Sequence, residues 1–353
     1  METNRHRHAV SCILPPYILD RLATHKDPAI RRAAVAAIAL SKIARMRRAR
    51  ATAQPVAPPP AKPKRRLVYD ARHGEWAALP GKLVRSEGDP EAADPAVNEA
   101  YDQAGTTYDF YFEVFKRNSL DNAGLPLISS VHFGKNYDNA FWSGEQMVYG
   151  DGDGVVFVSF TRALDVVAHE LTHGVVSHEC DLVYQDEPGA LNEHFADVFG
   201  ILTKQWKGKI AAEKADWLIG ADIMGPQPEA TAKNRARGLR TFKDEPAFED
   251  NPYLGTDPQP KRLRDKYTGH DDNGGVHLNS GIPNCAFYRV ATALGGAAWN
   301  APGAIWYETL KALNPQSGFA EMVTTTVDSA TKLFGAGSNE ARAVAAAWKA
   351  VGF

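Results

Sequence analysis

The chain has 353 residues, a formal net charge of −2, 44% hydrophobic and 23% charged residues, the composition of a soluble globular protein. Its length favours two or three folding units, and no apolar run approaches the roughly 20 residues that a membrane helix needs. The small net charge hides a polarity: residues 1–66 hold 15 Lys/Arg against 3 Asp/Glu, a net of +12, whereas residues 67–353 hold 25 against 39, a net of −14. Two unlike segments share one chain.

The N-terminus starts basic, but Ser11, Cys12, Pro15 and Pro16 interrupt its apolar stretch, so no signal-peptide core is present. A cytoplasmic location, or export by a non-classical route, is expected. Cys12, Cys180 and Cys285 are odd in number and far apart, which argues against a disulfide framework. Asp27 is placed to cap a helix with Pro28 in its first turn, running to about Arg50. Residues 49–66 hold five prolines and five basic residues in eighteen, an extended linker. A basic segment over 1–50 and a Pro-rich linker over 51–66 are therefore expected.

From Leu67 the composition changes. The runs LVYDA, HGEW, ISSVHFG, NAFW, MVYGDGDG and VVFVSF lie between turn signals over 67–160, with one long helix near 95–118. Helical patterns dominate after Arg162, over 162–178, 189–206, 281–295, 302–313, 318–333 and 337–350. Strands first and helices later predict an α+β fold with a strand-rich lobe (67–184), a helical lobe (185–353) and a cleft between them.

Residues 165–178 read DVVAHELTHGVVSH. On a helix, His169 and His173 share a face, so both imidazoles reach one ion. Glu170 lies about 100° around the helix, beside such an ion, where it can take a proton from water. Zinc suits two imidazoles and a third ligand, with a fourth position open. The bland alternative is two surface histidines on a core helix. Twenty residues after His173, a second helical stretch carries Glu193, which can complete a His₂Glu set. Asp197, one turn on, can accept the second N–H of a liganding imidazole. The alternative for this pair is a solvated face opposite Lys204.

These stretches resemble the thermolysin-like zinc metallopeptidases. The likeness continues through TYDFYFEVF (107–115), SSVHFG (129–134), NAFW (139–142), MVYGDGDG (147–154), LVYQDEPGALNEHFADVFG (182–200) and TGHDDNGGVHLNSGIPN (268–284). Pro15-Pro16-Tyr17 resembles the protealysin-like branch, whose members carry a short propeptide. The resemblance implies one zinc on His169, His173 and Glu193, with Glu170 as general base. It implies Tyr184 and His277 as donors to the transition state, with Asp272 orienting His277. Asn139, Ala140 and Trp142 would hold substrate as an added strand, and Arg240 would clamp its carbonyl. Asn192 and Asp197 would orient the metal ligands. Phe157, Phe160, Val166 and Leu239 would line the pocket after the scissile bond and favour large hydrophobic residues there.

The sequence departs from the family at its double-calcium site. Asp165 and Asp216 remain, but the other matching positions hold Lys204, Leu218 and Ala221, and PQPEATAKNRARG rewrites the later loop. Calcium wants six to eight oxygens, so no calcium is expected, with Lys204 replacing the ion. The basic segment reads as an intramolecular inhibitor docked by opposite charge, with Cys12 as a buried thiol or a zinc ligand. Peptides or proteins are the expected substrates; neither nucleic acid nor membrane is expected as a partner. A zinc aminopeptidase would need an acidic motif for the substrate amine, which is not found. The alternative from another class is a catalytically silent, peptidase-like binding protein with a basic interaction tail.

Overall fold

The computed structural model describes residues 11–48 and 64–353. Most of the expected linker, and the first ten residues, lie outside that range. The N-terminal segment forms a short strand β1 (Ser11–Cys12), a helix α1 (Pro16–Leu22) and a long helix α2 (Pro28–Arg48). Asp27 does cap α2, its carboxylate accepting the Ala29 N–H at 2.7 Å. The sequence pattern predicts one helix here, and the structure has two. A seven-residue helix opened by Pro-Pro shows too little periodicity, and α1 is held by packing on α2.

A six-stranded mixed sheet follows, made with β2 (Arg66–Asp70), β3 (Lys82–Ser86), β4 (Leu127–Val131), β5 (Ala140–Trp142) and β6 (Met147–Tyr149). Its order is β1-β5-β6-β4-β2-β3, so the N-terminal segment supplies one edge strand, antiparallel to β5. Helix α3 (Pro95–Phe115) packs on this sheet, with Asp94 as its N-cap. Two runs expected as strands behave otherwise. HGEW ends in a turn of 3-10 helix, Trp76–Ala78. In VVFVSF, the Asp153 carboxylate accepts the N–H groups of Val155, Val156 and Phe157, which curls the chain around one side chain.

Beyond residue 160 the protein is mainly helical: α4 (Leu164–Glu179), α5 (Asp186–Gly208), α6 (Asp271–Asn279), α7 (Gly281–Leu294), α8 (Ala301–Ala312), α9 (Phe319–Phe334) and α10 (Asn339–Val351), with a two-stranded ribbon of β7 (Leu218–Ile219) and β8 (Arg240–Thr241). Helices α4 and α5 are buried along most of their length because both run through the core, polar site residues included. They approach closely at Gly200, where a Cβ would meet the Asp165 carbonyl at 2.7 Å and His169 Cβ at 3.3 Å. No described helix is long and apolar enough to cross a membrane.

The N-terminal segment touches both halves. Ser41 Oγ on α2 bonds the Tyr137 hydroxyl at 3.0 Å. Near α1, Arg21 donates to the Tyr253 carbonyl at 3.1 Å, and His25 stacks on the Tyr253 ring. Among the described side chains of this segment one ion pair crosses, Lys26–Glu229, and Lys26 is largely exposed. Arg31, Arg32 and Lys42 point to solvent. Ile13 and Leu14, by contrast, are 0% and 2% exposed. A buried side chain of that size contributes about 1.5–3 kcal/mol, whereas an exposed pair is screened and contributes little.

A second polar staple ties the sheet to α3. His132 lies between Asp151 (Nδ1 to Oδ1, 2.8 Å) and Asp94 (Nε2 to Oδ2, 2.7 Å), the helix cap. The Asp151 bond, with help from Asp94, outweighs partial burial and raises His132 to about 9. Its stabilisation is fully present below the unfolded value near 6.5 and fades as pH rises through about 9. His132→Gln is expected to lower unfolding stability at pH 7 by about 1–2 kcal/mol and to flatten its pH dependence between 7 and 10, read by urea unfolding.

Candidate metal centre

Helix α4 presents His169 and His173 on one face, and α5 presents Glu193 opposite them. The two Nε2 atoms are 3.1 Å apart, and each lies 3.5 Å from a Glu193 oxygen. All three side chains are buried. The far sides of the rings are engaged: His169 Nδ1 donates to Asp197 Oδ1 at 2.9 Å, and His173 Nδ1 donates to Asn192 Oδ1 at 2.7 Å. Both Nδ1 atoms therefore carry protons, and both Nε2 atoms offer lone pairs. Two lone pairs and a carboxylate, whose Oε2 has no hydrogen-bond donor, converge on one point. Such a set fits a cation, and nitrogen with carboxylate in this number fits zinc. Among the described residues these three are the metal-capable group, and Cys12 is not part of it.

Asp197 is more heavily engaged than its spacing indicated. Besides His169 it accepts from Arg240 Nε and Nη2, at 2.8 and 2.7 Å, and from Asn284 Nδ2 at 2.8 Å. Burial would raise this carboxyl, but Arg240 and His169 outweigh it and hold it well below the usual range. Arg240 Nη1 donates to the Ile13 carbonyl at 3.1 Å.

Around the rim, Glu170 Oε2 accepts the Trp142 backbone N–H at 2.9 Å. The Tyr184 hydroxyl donates to Glu193 Oε1 and lies 3.2 Å from His277 Nε2. Asp272 grips His277 twice, at Nδ1 (2.6 Å) and at its backbone N–H (2.8 Å). Burial disfavours a charge on His277, but Asp272 and Glu193 overcome it and raise the ring to about 9. The grip depends on the turn before it. Asp272, Asn273, Gly274 and Gly275 are all left-handed, with φ of 55°, 51°, 81° and 78°, which interrupts α6 and lets Asp272 fold back on His277.

The other expected contacts involve the N-terminal strand. Ile13 N–H donates to the Ala140 carbonyl at 3.2 Å, and Leu14 N–H donates to Asn139 Oδ1 at 3.1 Å. His277 Nε2 meets the Cys12 carbonyl at 3.0 Å. Phe157, Phe160, Val166 and Leu239 are fully buried, and the two phenylalanine rings sit 5.8 Å apart. Tyr17, of the Pro15-Pro16-Tyr17 run, carries a buried hydroxyl whose ionisation is pushed up by burial and then by Asp257.

Behind the centre lies a layer that the sequence motifs do not include. His194 Nδ1 donates to Asn284 Oδ1 at 2.7 Å, and its Nε2 accepts the Trp306 indole N–H at 2.7 Å. Burial lowers His194 to about 4, so the ring stays neutral and can accept from Trp306. A histidine next to the third ligand is visible in the sequence; partners some 90 and 112 residues away are not.

A buried His₂Glu donor set, with a glutamate beside it on the first helix, defines a zinc hydrolase. The family model described as thermolysin metallopeptidase, catalytic domain, matches residues 61–177, and the one described as its alpha-helical domain matches 180–353. An "Extracellular metalloprotease" of Pectobacterium carotovorum subsp. carotovorum is 44% identical over 351 residues, covering 97% of this chain and 96% of that one. "Protease PrtS" of Photorhabdus sp. (strain Az29) is 46% identical over 81% of this chain and 76% of its own. The solved structure of the precursor of protealysin, a metalloproteinase from Serratia proteamaculans, superposes with a TM-score of 0.86 at 46% identity, covering 97% of this chain and 99% of that chain. The chain belongs to the thermolysin metallopeptidase family and is a zinc metalloendopeptidase with a propeptide. Metal analysis should find one zinc per chain. Glu193→Gln, which replaces an anionic donor by a neutral one, should lower zinc affinity at least tenfold in a chelator competition.

Proposed function

We propose that residues 67–353 cut peptide bonds on the amino side of large hydrophobic residues, and that residues 1–50 hold them latent until a cut within 51–66. One observation carries this reading: residues 11–14 lie across the centre as an added strand, with the backbone of Cys12, Ile13 and Leu14 engaged by His277, Ala140, Arg240 and Asn139. Added strands are a general mode of peptide binding. A competing substrate would need those same groups.

Zinc on His169, His173 and Glu193 would supply a Lewis acid that polarises a carbonyl and makes water acidic. In the proposed mechanism Glu170 takes the proton from the attacking water and delivers it to the departing nitrogen. The Trp142 N–H fixes one oxygen of Glu170 for that task. Tyr184 and the Asp272-held His277 donate to the oxygen on which negative charge develops. Arg240, Asn139 and Ala140 fix the substrate backbone beyond the scissile bond. Asn192 and Asp197 keep the two imidazoles in the tautomer that leaves Nε2 available. Phe157, Phe160, Val166 and Leu239 form the apolar pocket, where one methylene is worth about 1–3 kcal/mol of discrimination. No observation favours a silent binding protein. A non-classical export route is compatible with a relative named as extracellular. Glu170→Gln should keep zinc and fold, yet lose casein hydrolysis by about 100-fold or more, measured after opening the linker with trypsin.

The calcium departure is also part of the proposal. Lys204 Nζ lies 3.6, 3.5 and 3.7 Å from Asp165, Asp216 and Asp222. Burial opposes the ammonium charge, but these three carboxylates raise Lys204 above its ordinary value. We propose that this ammonium does the neutralising that an ion does elsewhere in the family. The wild-type melting temperature should be insensitive to calcium. Lys204→Met should cost roughly 2–4 kcal/mol by leaving the carboxylates uncompensated, and millimolar calcium should restore part of it.

A further inference from the structure

The strand in the cleft presents one particular peptide bond to the centre. The Cys12 carbonyl oxygen faces His277 Nε2 at 3.0 Å, the position proposed for a reacting carbonyl oxygen. The nitrogen of the same amide belongs to Ile13 and is held by the Ala140 carbonyl at 3.2 Å. The next carbonyl, of Ile13, is on Arg240 at 3.1 Å, and the next N–H, of Leu14, is on Asn139 at 3.1 Å. In register, Cys12 pairs with Phe141 and Ser11 with Trp142, whose N–H holds Glu170. The Cys12–Ile13 amide is thus seated between the oxyanion donor and the backbone clamp, over the helix that carries Glu170. A reversed strand would put N–H groups where these carbonyls lie.

We propose that the precursor cuts itself at Cys12–Ile13, separately from the linker cut. This rests on the peptidase reading above. One water adds across the amide: hydroxyl goes to the Cys12 carbonyl carbon, the C–N bond breaks, and the water's other proton passes through Glu170 to the Ile13 nitrogen. Residues 1–12 become a free piece ending in a carboxylate. The remainder stays in place, because Ile13 and Leu14 are buried and α1 is anchored through buried Ile18, Leu19 and Leu22. The nicked chain therefore remains latent, and the linker cut is still needed to release residues from 13 onward. The step breaks a backbone bond and calls on no chemistry of the Cys12 thiol.

The test uses the full zinc-loaded chain, followed by intact mass and N-terminal sequencing, with casein hydrolysis after trypsin opening as a parallel assay. The expected result is a species beginning at Ile13 together with the fragment ending at Cys12. Neither should form in Glu170→Gln or with a chelator, and both should form at an unchanged rate in Cys12→Ser. A readout without turnover comes from uncut Glu170→Gln chain, in which the Ile13 and Leu14 amides should exchange hydrogen slowly. Casein hydrolysis without any chain beginning at Ile13 would overturn the proposal while leaving the peptidase reading intact. So would a cut seen only in Cys12→Ser, which would mean that the thiol seals the site, or fast exchange at both amides. No casein hydrolysis at all would overturn the peptidase reading, and this proposal with it.

Discussion

One buried carboxylate organises the centre. Asp197 on α5 accepts from His169 on α4, from Arg240 on β8 and from Asn284 on α7. An isolated charge in such a place would cost several kcal/mol, so each donor depends on the others being present. The same set of bonds orients His169, aims a guanidinium at the edge that β1 occupies and ties α5 to both α4 and α7. Gly200, one turn along α5 from Asp197, permits the close approach to α4 that brings these groups within reach. Geometry at the metal and geometry at the bound strand are therefore not independent, because Arg240 serves both.

Much of this was legible because it is local. The HELTH spacing puts two imidazoles on one helical face, and Glu193 and Asp197 are one helical turn apart on another. The left-handed turn before His277 was visible as Asp-Asn-Gly-Gly. What failed was also physical. VVFVSF has the composition of a strand, but a single Asp153 side chain satisfies three of its N–H groups and bends it. Strand β1 is two residues long, and its conformation is dictated by the edge it joins, not by its own propensity. The His194–Asn284 and His194–Trp306 bonds join segments far apart in sequence, which no local pattern encodes.

Charge was the loudest feature of the sequence and has little to do with how the described parts of the propeptide sit. Apolar and backbone contacts hold it, and Arg31 and Arg32 face water. The loop over 226–238 supplies part of the dock: Glu229 pairs with Lys26, and the Tyr253 hydroxyl accepts the Glu229 N–H at 3.1 Å.

Strand β1 completes the sheet at β5, and it is borrowed. Once it leaves, β5 becomes a bare edge, and any extended chain of matching polarity can pair there. Partly unfolded copies of the enzyme belong to that group. A partly unfolded copy that paired there would be a substrate for its neighbour, and such loss would be a bimolecular process. Lifetime would then shorten as concentration rises.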